Sequence, residues 1–444
     1  MPAKAGPGTR CLSSPRGVGS GSKVHVPKSP RRSLQRQTTK EERHDWEGTA
    51  MATGGKTSTL YDALVVGAGI QGAWAAYHLA KRGQKTLLLE QFPLPHTRGS
   101  SHGQSRIIRS AYPEAHYVAM MPEAHRLWAE LETETGTKLY RPTNALILGR
   151  QEDPEFQSYC QAMEHHRIPR ETLTPEALAQ RFPEIHLRGG EMAISDHTAG
   201  VLYADKALKA VQDQFRRDGG TVRDGEKVLS IIPGAVVTVI TSLGEHRARS
   251  LVVTAGAWTG PLLASLGLHL PLQPLRISVC YWRAKPPATL EAMPCFLGIC
   301  LNGSQHHIYG LPANEYPGLV KICYHHGTPV DPDTPDQLSQ ASPNPVPDVQ
   351  ILQDFVSKYL PSLDPEPAVQ ERCLYTNTPD KDFVIDRHPR FRNIVIAAGF
   401  SGHGFKFAPV IGKVLGQLCL GQEPSYNLAP FRISRFPGLT KASL

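Results

Sequence analysis

Gly67-x-Gly69-x-x-Gly72 is the feature that most constrains this chain. It follows an apolar, strand-like run from Tyr61 to Val66. It opens a stretch of helix formers from Ile70 to Arg82, in which Ile70, Trp74, Ala75, His78 and Leu79 recur at helical spacing. Gly83 ends that helix, and Thr86 to Leu89 predicts a second, fully apolar strand with Glu90 at its end. Three glycines alone are a weak signal. Inside a strand-helix-strand unit of about 30 residues they form a dinucleotide fingerprint. Gly67 permits the tight turn, Gly69 lets the backbone approach a pyrophosphate, and Gly72 lets helix and sheet pack closely. Amides at the helix N-terminus, Ile70 among them, are expected to face the phosphates. Glu90 suits ribose hydroxyls and repels a 2′-phosphate, which argues against NADP. The pattern predicts a Rossmann-like α/β unit and leaves NAD and FAD undistinguished.

The 444 residues have room for two or three domains. The net charge of +8 is unevenly placed: residues 1–50 hold ten Lys or Arg and four Asp or Glu, leaving 38 against 36 elsewhere. The folded part is therefore near neutral, and no nucleic-acid partner is expected. Eight cysteines without a Cys-x-x-Cys pair fit neither a disulfide framework nor a zinc site. A reducing compartment and no metal follow. Ser250 to Gln273 lacks Asp, Glu, Lys and Arg, and is long enough to cross a bilayer. Gly256, Gly260, Pro261, Gly267 and Pro271 interrupt it, so strand, turn and short helix are expected, with no membrane insertion. Residues 1–58 are dominated by Pro, Gly, Ser, Lys and Arg, the composition of a disordered extension. Its first 40 residues are acid-free like a transit peptide, but prolines break any amphipathic helix; Met51 is a candidate alternative start.

Further along, helices are expected at Glu123–Gly136, Asp205–Asp218 and Pro409–Leu420. Strands are expected at Val236–Thr241, Leu251–Val253, Leu319–Tyr324 and Asn393–Ala398, and a loop at the Pro-rich Asp331–Pro347. Strand-helix units at both ends, with β-rich sequence between, predict a cofactor domain assembled from separated segments. No heptad supports a coiled-coil assembly.

Four motifs in one order carry a resemblance: Pro95–Arg109, Lys321–His325, Cys373–Thr378 and Gly399–Lys406. Over residues 60–435 the chain resembles the monomeric sarcosine oxidase family, and within it the peroxisomal sarcosine and L-pipecolate oxidases of animals. The resemblance implies a two-domain fold like that of D-amino acid oxidase-like flavoproteins. Its FAD-binding domain would comprise 59–141, 198–273 and 379–444. Its substrate domain, built on a β-sheet, would comprise 142–197 and 274–378.

The resemblance also assigns roles. Cys373 stands where the family attaches FAD through a thioether. A lone Cys in an apolar run is otherwise a buried, inert residue. Lys321 matches the oxygen-activating lysine, a fixed cation beside charge that develops as oxygen is reduced. By itself, a Lys within the apolar run Gly318–Tyr324 is costly to bury without a partner, or else faces water from an edge strand. Arg109 and Lys406 match the pair that grips a substrate carboxylate, a task suited to a guanidinium fork and a point charge. Arg106 matches a second arginine near the flavin. A strand would place Arg106 and Arg109 on opposite faces, whereas a turn or helix would let them converge. His102, Tyr309, His325 and Tyr375 align with polar residues of the family's pocket. Gly399, Gly402 and Gly404 are expected to let the backbone approach the flavin. Ser105 stands where bacterial relatives carry Thr, which keeps the hydroxyl.

The implied activity is oxidation of a small secondary amino acid by hydride transfer to FAD, with oxygen as acceptor and hydrogen peroxide as product. Sarcosine would give glycine and formaldehyde; L-pipecolate would give Δ1-piperideine-6-carboxylate. The alternatives are a flavin dehydrogenase serving a protein electron acceptor, an NAD-dependent dehydrogenase, and an inactive flavoprotein used as a binding module. Partners are expected to be the substrate and oxygen, the chain being monomeric. The resemblance places it in the peroxisome, with cytoplasm or mitochondrion as alternatives. The C-terminal Ala442-Ser443-Leu444 is a weak match to a Ser-Lys-Leu import signal, because Ser443 replaces the basic residue.

Overall fold

The computed structural model describes residues 59–286, 290, 292–334 and 347–437. The extension 1–58, most of the Asp331–Pro347 loop and the C-terminal tripeptide lie outside the described residues.

The fingerprint unit forms as expected. Strand Leu60–Val66, helix Ile70–Ala80 and strand Thr86–Leu89 follow one another, and the two strands pair in parallel. On the other side of Leu60–Val66 lies Glu245–Val253, also parallel. That strand has two partners on its outer edge: antiparallel Val237–Thr241 along its first half and parallel Ile394–Ala398 along its second. Thr221–Arg223, Val228–Ile232 and Val384–Arg387 complete an eight-stranded sheet. Helix Ile70–Ala80 is buried on all sides except at His78, which explains its near-continuous apolar sequence. It packs against helices Ala204–Arg217 and Ala408–Cys419. The second contact is backbone-close, since a Cβ at Gly412 would lie 2.6 Å from the Trp74 backbone.

A second sheet has nine strands. Its centre is antiparallel: Gln273–Arg283 pairs with Leu319–Tyr324 on one side and with the whole of Val369–Asn377 on the other. Ile308–Pro312, Cys295–Gly298, Ala145–Arg150, Glu191–Asp196 and Arg170–Leu173 continue it outward. Helix Pro347–Tyr359 covers this sheet with Leu352, Phe355 and Val356, in one cluster with Trp282, Val320 and Ile322. A small third sheet joins Ser105–Ile108, Gly200–Tyr203 and Tyr140–Pro142.

Several expectations needed correction. The helix expected at Glu123–Gly136 begins at Ala115 and runs through Pro122. Proline costs a helix interior about 3 kcal/mol, but Tyr117, Val118, Met120 and Met121 around it are all buried. Gly136 ends the helix in the left-handed region, at φ 63°. The strand expected at Leu251–Val253 starts at Glu245, because its polar first half alternates exposed and covered positions beside Val237–Thr241. Pro347 does not close a loop; it opens helix Pro347–Tyr359. Helices Pro154–His165 and Pro175–Arg181 were also missed, although each has Pro at its start and a capping Asp153 or Thr174. Ser250–Gln273 is strand end, 3-10 turn and short helix, and no described helix is long and apolar enough to cross a membrane.

At Gly72 a Cβ would sit 1.9 Å from the Gly67 carbonyl oxygen and 2.5 Å from Thr254 Oγ1. Gly72→Ala should therefore cost about 1–3 kcal/mol through overpacking. Gly260→Ala, where a Cβ meets open space in a helix, should be neutral or stabilising. Thermal unfolding of both variants checks the contrast; equal Tm values would contradict it.

Candidate active site

The fingerprint turn lines a cavity of about 870 Å³ that also reaches Glu90, the 96–103 loop, Tyr375, Thr376 and Gly399–Gly402. Gly67 has φ 96°, and a Cβ there would strike the Thr254 carbonyl oxygen at 2.5 Å. Glu90 is buried and pins the turn as well as facing the cavity. Its Oε2 accepts from Ala68 N at 2.9 Å and its Oε1 from Phe92 N at 3.1 Å. Ile70 N donates to Ser101 Oγ at 3.0 Å, so the amide expected to face a phosphate already holds a hydroxyl. A Cβ on Gly69 would approach that same hydroxyl to 3.1 Å. An amide-rich helix start, a carboxylate at the end of the second strand and a cavity of this volume fit a dinucleotide.

A second cavity of about 350 Å³ is lined by Arg106, Arg109, Tyr309, Lys321, His325, Cys373, Tyr375 and Lys406. His102, Gly103, Arg106, Tyr375, Gly402 and Phe405 line both cavities. Every polar residue singled out beyond the fingerprint therefore meets at one place, from three distant parts of the chain.

Arg106 and Arg109 converge because the strand Ser105–Ile108 ends between them. Arg106 donates to the carbonyls of Ser105 at 2.7 Å, Ser100 at 2.9 Å and His102 at 2.6 Å, which ties the preceding loop together. Arg109 is different. Its guanidinium lies 4.1 Å from the centre of the Tyr112 ring, and its buried Nη1 has no hydrogen-bond partner among the described residues. Lys406 Nζ donates to Tyr112 Oη at 2.8 Å and to the His403 carbonyl at 3.0 Å. Burial first, then Arg109 and Arg106, hold the Lys406 ammonium well below the ordinary lysine value. Two cations crowd one buried ring, and an anion there would relieve both.

Lys321 lies in an interior strand, not at an edge, and is not without a partner. Its Nζ is 3.2 Å from Glu315 Oε1 and 3.4 Å from Ser105 Oγ, with both charged side chains under 10% exposed, at 7% and 6%. Tyr309 and Tyr375 share a hydrogen bond between their hydroxyls at 2.8 Å. The His325 ring packs 6.0 and 5.4 Å from those two rings. Burial pushes His325 down to about 3, helped by His307, Lys406 and Arg109, so it is neutral near pH 7. His102 contacts the Gly99 carbonyl through Nδ1 and the Arg372 carbonyl through Nε2 at 3.2 Å. It thereby ties the loop to the strand that carries Cys373. The Cys373 thiol is half-buried in the wall of the smaller cavity. Protein neighbours crowd all three C-terminal glycines. A Cβ on Gly402 would strike the Tyr375 ring at 2.3 Å, and one on Gly404 the Phe400 ring at 2.5 Å. A Cβ on Gly399 would meet Thr378 at 2.4 Å.

A family model described as FAD dependent oxidoreductase matches residues 62–418. The chain belongs to this family. It is 55% identical over 390 residues to a peroxisomal sarcosine oxidase of Homo sapiens, covering 87% of this chain and 98% of that one. It is 37% identical over 384 residues to a monomeric sarcosine oxidase of Bacillus sp. (strain NS-129), covering 85% and 97%. The fold is shared with NikD, an unusual amino acid oxidase, at TM-score 0.73 and 23% identity, covering 84% and 98%. The resemblance read from the four motifs is thus borne out, as are the mixed α/β fold and FAD as cofactor. This family member is an oxidoreductase acting on CH–NH donors.

Sequence reasoning missed Glu315, Tyr112 and the pair His307–Glu155, whose Nε2 and Oε1 lie 2.8 Å apart on the cavity wall. Each owes its place to folding between distant segments, and no local pattern marks it.

The buried histidines predict a pH dependence. Burial pushes His78 and His325 to about 3 and His388 to about 4. Unfolded, each titrates near about 6.5. Below that value the unfolded chain binds protons that the native state refuses. Stability is therefore full above about pH 6.5 and falls as pH drops toward 4, by up to about 1.4 kcal/mol per pH unit for each histidine. Tm measured from pH 7 to pH 5 should decline; a flat profile would refute neutral burial.

Proposed function

We propose that this family member oxidises small secondary amino acids, sarcosine and L-pipecolate, with oxygen as the electron acceptor. The observation that carries the reading is the buried, unpartnered Arg109 Nη1 beside the desolvated Lys406. A substrate carboxylate answers both, accepting from the guanidinium and neutralising the ammonium. The names of the relatives support sarcosine as a substrate and a monomeric enzyme.

With the carboxylate held, the amine reaches the side of the cavity walled by His325, Tyr309 and Tyr375. Neutral His325 is able to accept a hydrogen bond from the amine. The surrounding cations disfavour an ammonium, so the site favours the neutral amine that hydride loss requires. FAD, when bound, supplies the hydride acceptor, which oxygen reoxidises to give hydrogen peroxide. Cys373, in the wall of the smaller cavity, would hold it covalently. Lys321 offers a fixed positive charge, out of water, to the negative charge that develops as oxygen is reduced. Water then hydrolyses the imine from sarcosine to glycine and formaldehyde. The cyclic imine from L-pipecolate is Δ1-piperideine-6-carboxylate. Arg106 and His102 act by fixing the loop between the cavities.

In this reading, segments 59–141, 198–273 and 379–444 form the FAD domain, and 142–197 with 274–378 the substrate domain. The peroxisome is its location, in keeping with relatives named for it, with an import receptor engaging the C-terminal tripeptide.

Acid precipitation of purified protein tests the attachment. Yellow colour should stay with the wild-type pellet and wash out of Cys373→Ala; colour lost from both would remove the covalent link. Oxygen uptake with sarcosine tests the substrate reading. Arg109→Met removes charge-assisted bonds worth about 1.5–3 kcal/mol, so kcat/KM should fall roughly 10- to 100-fold. An unchanged value would place the carboxylate elsewhere.

A further inference from the structure

We propose that Glu315 is the positioning residue that keeps Lys321 charged and aimed into the substrate cavity. The inference rests on the reading of Lys321 as the cation that serves oxygen reduction. Glu315 stands in the short hairpin between strands Ile308–Pro312 and Leu319–Tyr324. Lys321 lines the smaller cavity and Glu315 does not, so the carboxylate sits behind the lysine and acts through it. The pair forms a dipole with its positive end toward the cavity.

The carboxylate is unusually well supplied with donors. Oε1 accepts from Gln104 N at 3.1 Å, Ser105 Oγ at 2.7 Å and Lys321 Nζ at 3.2 Å. Oε2 accepts from Asn314 N at 3.1 Å and lies 2.9 Å from the same Ser105 hydroxyl. These bonds, led by the charge of Lys321 among its partners, offset the burial of Glu315 and hold its carboxyl below the usual range. Thus Glu315 stays anionic and offers a fixed counter-charge. A buried ammonium without such a partner sheds its proton. Among the described residues no second carboxylate, Glu371 on the same cavity wall included, lies within ion-pair distance of Lys321. The Tyr281 ring lies 5.7 Å away, and its hydroxyl is spent on Glu371 at 2.9 Å. Cys323 is a buried thiol whose pKa is raised by desolvation, and His102 is pushed toward the neutral form by burial. Glu315 also bonds Gln104 and Ser105, at the start of the segment bearing Arg106 and Arg109, and so sets the distance between lysine and arginines.

The test uses chemically reduced holoenzyme mixed with oxygen, so that it does not depend on the amino acid substrate. In Glu315→Gln, reoxidation should slow roughly 100-fold at high pH, the scale of one lost electrostatic donor. The rate should recover as pH falls, because Lys321 regains its proton; the wild-type profile should be flat over the same range. Adding Lys321→Arg to Glu315→Gln should flatten the profile again, since guanidinium keeps its charge. A purely structural role for Glu315 would not produce that rescue. Independently of turnover, Tm of Glu315→Gln, Lys321→Met and the double variant should be non-additive. Glu315→Asp, which keeps the charge, guards against loss of folding. If Lys321→Met slows reoxidation while Glu315→Gln reoxidises like wild type at every pH, the proposal is overturned. If Lys321→Met itself reoxidises normally, the reading of Lys321 fails instead, and the proposal with it.

Discussion

The structure depends on how closely helix Ile70–Ala80 begins against the sheet. Gly67 and Gly72 leave no room for a Cβ between the turn, the Thr254 backbone and the Thr254 hydroxyl. Thr254 Oγ1 donates to the Val66 carbonyl at 2.8 Å, which locks Glu245–Val253 to the first strand at this point. Helix, turn and two strand ends are thus one rigid unit. The helix is sheathed by Ala204–Arg217 and Ala408–Cys419, so the same unit fixes the short turn at Phe405–Phe407 that delivers Lys406. A packing constraint at the nucleotide end therefore sets the position of a cation at the substrate end.

That cation belongs to a site built from charge taken out of water. Arg109 and Lys406 crowd Tyr112 without a carboxylate among their hydrogen-bond partners, while Lys321 has one. The difference separates two tasks. A group that is to receive an anion gains from being left uncompensated, because the ligand then completes the site. A group that must stay charged through the whole cycle needs its own counter-ion. Neutral His325 and the Tyr309–Tyr375 pair supply the uncharged wall between them, where an amine rather than an ammonium is at home.

Much of this was legible in the chain. Gly67, Gly69, Gly72 and Glu90 announce a nucleotide site because their roles are local: a turn, a close approach and a strand end within one short unit. The resemblance carried by Pro95–Arg109, Lys321–His325, Cys373–Thr378 and Gly399–Lys406 named side chains that do line one cavity. What remained hidden was relational. Arg106 and Arg109 converge only because their strand stops at Ile108. Helix Ala115–Thr135 crosses Pro122 because tertiary burial outweighs a local penalty. His102 reads as a pocket residue in sequence, yet both of its nitrogens contact backbone carbonyls of two separate segments.

Lys321 shows most clearly why sequence alone stops short. A lysine in an apolar strand poses a problem of desolvation, and the answer lies six residues upstream, across a hairpin turn. Strand periodicity cannot show it, because Glu315 sits in the turn, where alternation carries no meaning. The register of Ile308–Pro312 against Leu319–Tyr324 brings the turn back over Ser105, and only then do carboxylate, hydroxyl and ammonium meet. The Ser105 hydroxyl gains its meaning from the same contact. At this position the chain keeps the donor that Glu315 requires. Side chain, hairpin register and loop position are thus mutually dependent, and the buried charge is tolerated because all three agree.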